Sequence, residues 1–367
     1  MKLRFIEIKM KKRGKKPDFT LSLIIRFLSV AMGLGVVAVL FLLQGVNPLL
    51  LYFNIFRVAF FTQYGLAETL SRMIPLLCIA IGLSVPFRAK IDNIGAEGQF
   101  LVGAIAAAGV AFAFPDMPAV LLIPLMFAAG FALGALWAIP VAIFRVIGKF
   151  KGADVVLSFL TVFPAYLLIV YLVNGPWKDP EGWGFTQSPL FPVNAQIMQL
   201  PGTRIHLTIL LVFALTFLIH YYLVRTKDGI PETKVGYEIN VVGENPEAGA
   251  AAGINFLRIA LITMIISGGM AGIAGVGEVA GNLMRLRPEI STGLGFTGIA
   301  VAWLGGLNPI GIILSSLFFA GLMAGGVEIQ MAGLPVTVID LFNGSILFFV
   351  LLAEFFMRYR IEWRILK

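Results

Sequence analysis

Long apolar runs separated by short polar breaks occupy the chain from residue 21 to residue 357. Most of these runs approach the length of about 20 residues with which an α-helix crosses the hydrocarbon core of a bilayer. The pattern therefore predicts an all-α polytopic membrane protein with about ten transmembrane helices. The predicted spans are 21–43, 67–87, 94–114, 119–146, 155–173, 205–224, 256–279, 293–304, 310–327 and 336–357. The number falls to eight if the short segments 93–114 and 293–307 re-enter the membrane instead of crossing it.

Composition supports this class and limits the chemistry. Of the 367 residues, 59% are hydrophobic and 13% are charged, whereas soluble domains average about 45 to 50% apolar and about 25% charged residues. The single cysteine, Cys78, excludes a disulfide framework and a multi-cysteine metal site. Two histidines, His206 and His220, are too few for a histidine cluster. We therefore expect no metal site in this chain.

The basic residues that give the net charge of +8 flank the apolar runs. This distribution is typical of the positive-inside rule of membrane proteins and argues against a nucleic-acid surface. It predicts a basic cytoplasmic amino terminus (1–20), a membrane domain (21–357) and a cytoplasmic carboxyl terminus (358–367). Within the membrane domain, 174–204 is predicted as an extracytoplasmic loop and 225–256 as a cytoplasmic loop.

The two halves of the predicted bundle have opposite orientations. The set of spans two to five begins outside, and the set of spans seven to ten begins inside, so the sets are predicted to be inverted repeats. Spans three and eight, at matching places, open with N-I-G-A-E-G-Q-F (93–100) and T-G-L-G-F-T-G-I-A (292–300). Paired glycine-interrupted segments of this kind indicate a substrate path near the middle of the bilayer.

Polar and aromatic side chains inside the predicted spans are the candidate substrate contacts. An acidic residue at the bilayer centre costs about 2.5 to 3.5 kcal/mol, so Glu97 is expected to face protein or water. Aromatic rings can stack on a planar base. The alternatives are a helix cap at Asn93 with tight helix packing, hydrogen bonds between helices for Glu278 and Asn282, and ordinary core aromatics. The candidate pathway residues are Asn93, Glu97, Gln99, Glu278, Asn282, Phe296 and Trp303.

The long cytoplasmic connection contains a mixed polar and apolar segment, 230–255. It predicts two short helices separated at 243–246, with Asn245 as the cap and Pro246 as the first residue of the second helix. That second helix, E-A-G-A-A-A-G at 247–253, carries almost no side chains and can enter a cleft of another protein. The alternative is a loop helix that packs on its own membrane domain.

These segments resemble a known family. E-A-G-x3-G (247–253) is similar to the E-A-A-x3-G motif by which permease subunits of ATP-binding-cassette (ABC) importers dock their ATPase, with Gly249 in place of the second alanine. The blocks at 93–99, 242–248, 267–275 and 295–302, followed by L-N-P, resemble the simple-sugar and nucleoside permeases. That family belongs to the group of the ribose and branched-chain amino-acid permeases. The resemblance covers residues 65 to 355, and Asp92 is a departure from it.

The resemblance implies a type II importer-like fold and a permease subunit that translocates nucleosides, driven by ATP hydrolysis in a separate subunit. The alternative solutes are monosaccharides of the ribose or galactose type. A secondary transporter driven by protons or sodium is a second functional class, suggested by Glu97 and the inverted halves. An integral-membrane enzyme is a third, but the sequence contains no paired carboxylates, HExxH, CxxC or nucleophile motif to support it.

The resemblance also implies the partners. They are a second permease subunit, a cytoplasmic ABC ATPase, an extracytoplasmic solute-binding protein or lipoprotein, and membrane lipid, without nucleic acid. The second permease is expected to be a different chain, and the alternative is a second copy of this chain. We expect a prokaryotic cell membrane with both termini cytoplasmic. The sequence contains no G-x-x-x-x-G-K-[ST] motif, so we expect no catalytic residue and no cofactor here, with ATP-Mg in the partner. The predicted ATPase-coupling residues are Gly243, Glu244, Asn245, Pro246, Glu247, Ala248 and Gly253.

Overall fold

A computed structural model describes residues 2–3, 6–12, 19–147, 152–227, 230–335 and 337–365. Helices account for most of these residues. They are α1 (Phe19–Leu43), α2 (Pro48–Phe61), α3 (Gln63–Arg88), α4 (Ala96–Ala113), α5 (Ala119–Ile147), α6 (Ala153–Leu160), α7 (Val162–Asn174), α8 (Thr208–Ile219), α9 (Lys234–Glu244), α10 (Pro246–Ala251), α11 (Phe256–Glu278), α12 (Leu294–Leu304), α13 (Pro309–Ala324), α14 (Gly326–Met331) and α15 (Val338–Arg358). π-Helical turns at His220–Val224 and Val279–Leu283 extend α8 and α11, and 3-10 turns lie at Val193–Ala195 and Pro288–Ile290.

The helix lengths confirm the polytopic all-α class. In the described part of the chain, eight helices are long and apolar enough to cross a membrane, with α6–α7 and α13–α14 each counted as one. The helices Pro48–Phe61 and Thr208–Val224 are apolar but shorter. α12 has 11 residues, and at 1.5 Å per residue it is only about 16 Å long, roughly half the thickness of a hydrocarbon core. Of the ten predicted spans, 205–224 and 293–304 therefore form the short helices.

The described residues before Ile55 and after Gly325 form the smaller of two compact units. In it, α1 packs along α15, and the rings of Phe41, Tyr52 and Phe342 lie 5.7 to 5.9 Å apart. The two ends of the chain also form a sheet that the sequence analysis does not predict. It consists of strands β1 (Lys2–Leu3), β2 (Ile6–Lys12) and β5 (Tyr359–Ile365), all antiparallel. A small hairpin pairs β3 (Thr226–Lys227) with β4 (Ile230–Pro231) in the other unit.

The larger unit, Ile55–Gly325, is built around α11, which packs against α3, α4 and α5. Glycines allow these helices to approach closely. A Cβ added to Gly103 would lie 2.4 Å from Gly272, and one added to Gly134 would lie 2.3 Å from the carbonyl oxygen of Gly268. The glycine-rich run at 267–275 is therefore explained by helix contacts along α11.

Two helices of this unit are followed by a break and then by a helix that begins inside the protein. α3 ends at Arg88 and α4 begins at Ala96, while the π-helical end of α11 stops at Leu283 and α12 begins at Leu294. Each break opens with a non-glycine residue in the left-handed region, Lys90 at φ 55° and Met284 at φ 56°. The breaks thus occupy corresponding places in the two predicted repeats.

The two ends of this unit carry different connections. The long-loop face carries the connection 175–207, which hydrogen-bonds along the break after α11; for example, Phe191 N–H donates to Met284 O at 2.8 Å and Ile197 N–H to Ala280 O at 2.9 Å. The short-helix face carries α9 and α10. α9 packs on the end of α3 there, since a Cβ on Gly243 would lie 1.9 Å from Arg88 O.

Candidate functional site

The starts of α4 and α12 meet at one carboxylate. Glu97 lies in the first turn of α4, and its Oε2 accepts a hydrogen bond of 2.6 Å from Gly295 N–H in the first turn of α12. The Ser291 hydroxyl and the Gly293 N–H also hydrogen-bond to this carboxylate. A Cβ on Gly295 would lie 2.3 Å from the backbone nitrogen of Glu97. The first turns of two helices therefore meet at one buried carboxyl group, which accepts an N–H that has no partner within its own helix.

A buried amide pair fixes the break before α4. Asn93 Nδ2 donates to Gln99 Oε1 at 2.8 Å and to Ser267 Oγ at 2.9 Å, and Gln99 Nε2 donates back to Asn93 Oδ1 at 3.1 Å. Both amide side chains are fully buried. The prediction that Asn93 caps α4 is wrong: the cap position belongs to Gly95, which has no side chain to cap with. Asn93 lies two residues earlier, where Gly95 N–H donates to its Oδ1 at 3.1 Å.

A cavity of about 350 Å³ lies on the long-loop face, within the range of about 300 to 1,000 Å³ typical of small-molecule sites. Charged and polar side chains from α3, α11 and the segments beside α12 dominate its walls. The lining residues are Glu68, Arg72, Pro75, Arg204, Glu278, Asn282, Leu283, Arg287, Glu289, Ile290, Thr292, Leu294 and Met323. The cavity therefore reaches from the exposed loops down to the first residue of α12.

Ion pairs and hydrogen bonds order the polar walls of this cavity. Glu68 pairs with Arg72 at 2.8 Å and lies 4.0 Å from Arg204. At the end of α11, Glu278 Oε1 accepts a hydrogen bond of 2.6 Å from Asn282 Nδ2. Five polar side chains are thus held in position around one small space.

A second cavity of about 290 Å³ adjoins the first and shares Glu68 and Arg204 with it. Its other lining residues include Tyr64, Ala67 and Thr203. Tyr64 is 71% exposed. An aromatic ring thus lies beside the exposed end of the polar cavity.

The structure places the predicted pathway residues in different environments. Glu278 and Asn282 line the larger cavity, whereas Asn93, Glu97 and Gln99 are buried in the hydrogen bonds described above. The Phe296 ring lies 6.1 Å from Phe159. The Trp303 ring stacks on Phe87 at 5.4 Å. Neither of these two aromatic residues is among the residues that line the two cavities.

Five charged lining residues are not among the candidates from sequence: Glu68, Arg72, Arg204, Arg287 and Glu289. The i, i+4 spacing of Glu68 and Arg72 suggests an ion pair, which the structure confirms. From sequence this pair is interpreted as an anchor at the membrane interface, whereas in the structure both residues line the cavity. An opposite-charge pair inside an apolar helix is the signal that could have identified this wall. Arg204, Arg287 and Glu289 lie outside the long helices, so the sequence alone does not indicate which way their side chains point.

His206 is a fully buried histidine in the long-loop connection. Burial lowers the pKa of His206 to about 4, so the imidazole is neutral near pH 7. Neither of its ring nitrogens has a hydrogen-bond partner among the described residues. The ring packs against α11, since a Cβ on Gly281 would lie 2.5 Å from it. His206 therefore contributes a packed neutral ring between the loop and the π-helical end of α11.

The short-helix face presents the predicted pair of short helices. α9 ends at Glu244, and Asn245 caps α10 by accepting hydrogen bonds from Glu247 N–H at 3.0 Å and Ala248 N–H at 3.3 Å. This confirms the predicted cap and the predicted start at Pro246. Of the predicted coupling residues, the exposed ones are Glu244, Asn245, Pro246, Glu247, Ala248 and Gly253, and the buried one is Gly243.

The bundle of membrane-length helices, the polar cavity at one end and the exposed small-residue helix at the other define an integral-membrane permease. Residues 65–351 match the family described as branched-chain amino acid transport system / permease component. The chain belongs to this family, among the ABC permeases of the sugar and nucleoside importer group.

Similar proteins extend over nearly the whole chain. The glucose ABC transporter permease protein TsgB13 of Haloferax volcanii is 34% identical over 346 residues, which is 91% of this chain and 88% of that protein. The nucleoside ABC transporter permease protein NupB of Lactococcus lactis is 29% identical, covering 90% of this chain and 91% of that protein. The guanosine ABC transporter permease protein NupP of Bacillus subtilis is 29% identical, covering 89% and 92%.

Proposed function

We propose that this chain is the membrane-spanning permease subunit of an ABC importer that translocates nucleosides, driven by ATP hydrolysis in a separate subunit. The observation that carries the proposal is the exposed α10 at the short-helix face. Its Asn245 cap holds E-A-G-x3-G as a nearly bare helix, and such a helix fits a cleft of an ATPase. The polar cavity at the long-loop face then provides the opposite end of the translocation path.

The proposed orientation follows from charge and from these two faces. The short-helix face and both termini lie in the cytoplasm, and the long-loop face lies outside a prokaryotic plasma membrane. Basic residues flank the predicted spans on the cytoplasmic side, as the positive-inside rule requires. The connection 175–207 then forms an ordered outer surface, because backbone hydrogen bonds hold it to the break after α11.

The proposed partners are an ABC ATPase at α9 and α10, a solute-binding protein or lipoprotein at the long-loop face, and a second, different permease chain. The relatives support a pair of permeases: NupB and NupC both come from L. lactis, and NupP and NupQ both come from B. subtilis. The match with NupB covers 90% of this chain, and the match with NupC covers 70% of it. We assign it the NupB-like position, with no cofactor of its own and ATP-Mg in the ATPase.

Two relatives named for nucleosides or guanosine match this chain along almost its full length, which supports nucleosides as the solute. A monosaccharide is the second candidate, because the H. volcanii relative is named for glucose and is 34% identical. Within the path, we place first solute contact at Glu278 and Asn282, which line the cavity. Stacking of a base on Phe296 or Trp303 stays a prediction.

Solute-stimulated ATP hydrolysis tests this function in the complete complex, reconstituted with its ATPase, second permease and binding protein. A panel of nucleosides, pentoses and hexoses is compared between the wild type and Glu247→Arg, which puts a large cation on exposed α10. The matched control is Glu232→Arg, the same substitution at an exposed glutamate of the same face outside α9 and α10.

We expect nucleosides to stimulate hydrolysis in the wild type and in Glu232→Arg but not in Glu247→Arg. Stimulation by sugars alone would identify the second candidate. Solute uptake that persists without the ATPase and collapses with a proton or sodium gradient would contradict the proposal in favour of an ion-driven transporter.

A further inference from the structure

The larger cavity carries balanced charge. Its walls contain three acidic side chains and three arginines. The acidic residues are Glu68, Glu278 and Glu289, and the arginines are Arg72, Arg204 and Arg287. Glu68 pairs with Arg72 and lies 4.0 Å from Arg204. A cavity with a single sign of charge would attract an ion, whereas side chains of both signs suit a neutral polar solute. The walls therefore favour a molecule that donates and accepts hydrogen bonds without carrying a charge.

Glu278 and Asn282 present adjacent hydrogen-bonding groups to this space. They lie one helical turn apart, and the bond from Asn282 Nδ2 to Glu278 Oε1 at 2.6 Å fixes the two groups side by side. The described residues provide no hydrogen-bond donor to Glu278 Oε2 or to Asn282 Oδ1. The pair thus offers free acceptor atoms and one further amide N–H within one small area. Two neighbouring hydroxyl groups, each able to donate and accept, match this arrangement.

The position of the pair also suits a solute that is held before translocation. The cavity extends to Thr292 and to Leu294, the neighbour in sequence of Gly295, whose N–H Glu97 accepts. The cavity therefore ends beside the contact between the starts of α4 and α12. A solute in the cavity would lie against the junction of the two predicted repeats.

Resting on the proposed function, we infer that the cavity is a binding site for a neutral solute with vicinal hydroxyl groups, and that Glu278 and Asn282 determine this specificity. The ribose of a nucleoside and the ring of a free sugar both carry such a diol. Both residues act as solute contacts, and the paired Glu68 and Arg72 line the same cavity.

The test measures uptake by proteoliposomes that contain the complete complex, with binding protein in excess. Two solute pairs are compared: a ribonucleoside with its 2′,3′-dideoxy form, and methyl glucoside with its 3-deoxy form (the glucose pair). Neither deoxy form has hydroxyl groups on neighbouring ring carbons. For each pair, the uptake of the solute with neighbouring hydroxyl groups is divided by the uptake of its deoxy form. The readout, called the diol preference, is this ratio for a variant divided by the same ratio for the wild type. This division removes the preference of the binding protein, which is identical in every sample.

We expect Glu278→Ala and Asn282→Ala each to lower the diol preference about tenfold, the factor supplied by one hydrogen bond to a charged or amide group. Uptake of the deoxy solute should change little. Glu278→Gln, which keeps an acceptor oxygen, should lower the preference less and serves if the alanine variant does not assemble. Asp116→Ala, at an exposed turn that does not line either cavity, is the control and should keep the wild-type preference.

A change in the nucleoside pair alone assigns the diol to ribose, and a change in the glucose pair alone assigns it to a free sugar. Unchanged preference in every Glu278 and Asn282 variant, with ATP-dependent uptake intact, would overturn the cavity assignment and leave the proposed function standing. The absence of ATP-dependent uptake of every solute in the wild-type complex would instead overturn the proposed function.

Discussion

The carboxylate of Glu97 joins the start of α4 to the start of α12 by accepting the Gly295 N–H at 2.6 Å. Both residues lie in the first turn of a helix that follows a break in the chain. The Gly295 N–H belongs to the first turn of α12 and has no partner within that helix, so Glu97 supplies its acceptor. Glu97 therefore connects the two predicted repeats at the point where the cavity ends, and this gives the contact a measurable role.

Glu97→Ala removes the acceptor and leaves the Gly295 N–H buried without a partner. We expect the free energy of unfolding to fall by about 1 to 3 kcal/mol, the cost of an unsatisfied buried group. Glu97→Gln keeps an acceptor oxygen and should lose less. Thermal unfolding of the purified chain in detergent measures both, with Glu181→Ala on the exposed loop as the control. Equal stability of Glu97→Ala and the control would show that the contact does not hold the helices together.

Gly295→Ala tests whether the starts of α4 and α12 are in close contact. The new Cβ would lie 2.3 Å from the Glu97 nitrogen, so the two helix starts must move apart. Overpacking of this kind costs about 1 to 3 kcal/mol, and we expect a lower unfolding temperature together with reduced uptake. Gly344→Ala is the matched control, because a Cβ there meets nothing within 4 Å. If Gly295→Ala unfolds at the same temperature as Gly344→Ala, the helix starts are not in close contact.

Local sequence patterns predicted the parts of this protein that depend on neighbouring residues. The spans follow from apolar runs, and the α9–α10 pair follows from Asn245 and Pro246, because capping needs only adjacent residues. The contact between Glu97 and Gly295 joins residues that are far apart in the chain, and no local pattern encodes it. The pairing of β2 with β5 at the two chain ends was missed for the same reason.

The candidate site was predicted only where polarity in a span is itself unusual. Glu278 and Asn282 are candidates from sequence because two polar side chains, one turn apart, are costly inside an apolar helix. Arg204 and Arg287 were not found, because a charged residue in a loop has no such cost and its direction depends on tertiary packing. Asn93 was assigned to a cap because the sequence does not show that Gln99 and Ser267 bind its amide.

Asn245→Ala should weaken α10 and its coupling to the ATPase. The substitution removes two hydrogen bonds to the first N–H groups of the helix, and such caps are worth about 0.5 to 2 kcal/mol. We expect faster amide hydrogen exchange at Glu247 and Ala248 and a lower affinity for the ATPase. Asn245→Asp keeps the acceptor and should restore both. Unchanged exchange in Asn245→Ala would show that the cap does not order α10.

His206 predicts a dependence of stability on pH. Burial lowers the pKa of His206 from its ordinary value of 6.5 to about 4 in the folded chain, so the unfolded chain binds a proton at higher pH than the folded chain. This contribution to stability is therefore complete above pH 6.5, is lost as the pH falls from 6.5 to 4, and stays constant below that. Because carboxylates also titrate in this range, the measurement is the difference in unfolding temperature between the wild type and His206→Phe across pH 4 to 8. We expect the wild type to lose stability more steeply than His206→Phe between pH 6.5 and 4, since the phenylalanine ring fills the site without binding a proton. Parallel curves would show that the imidazole is hydrated or paired in the folded protein and does not resist protonation.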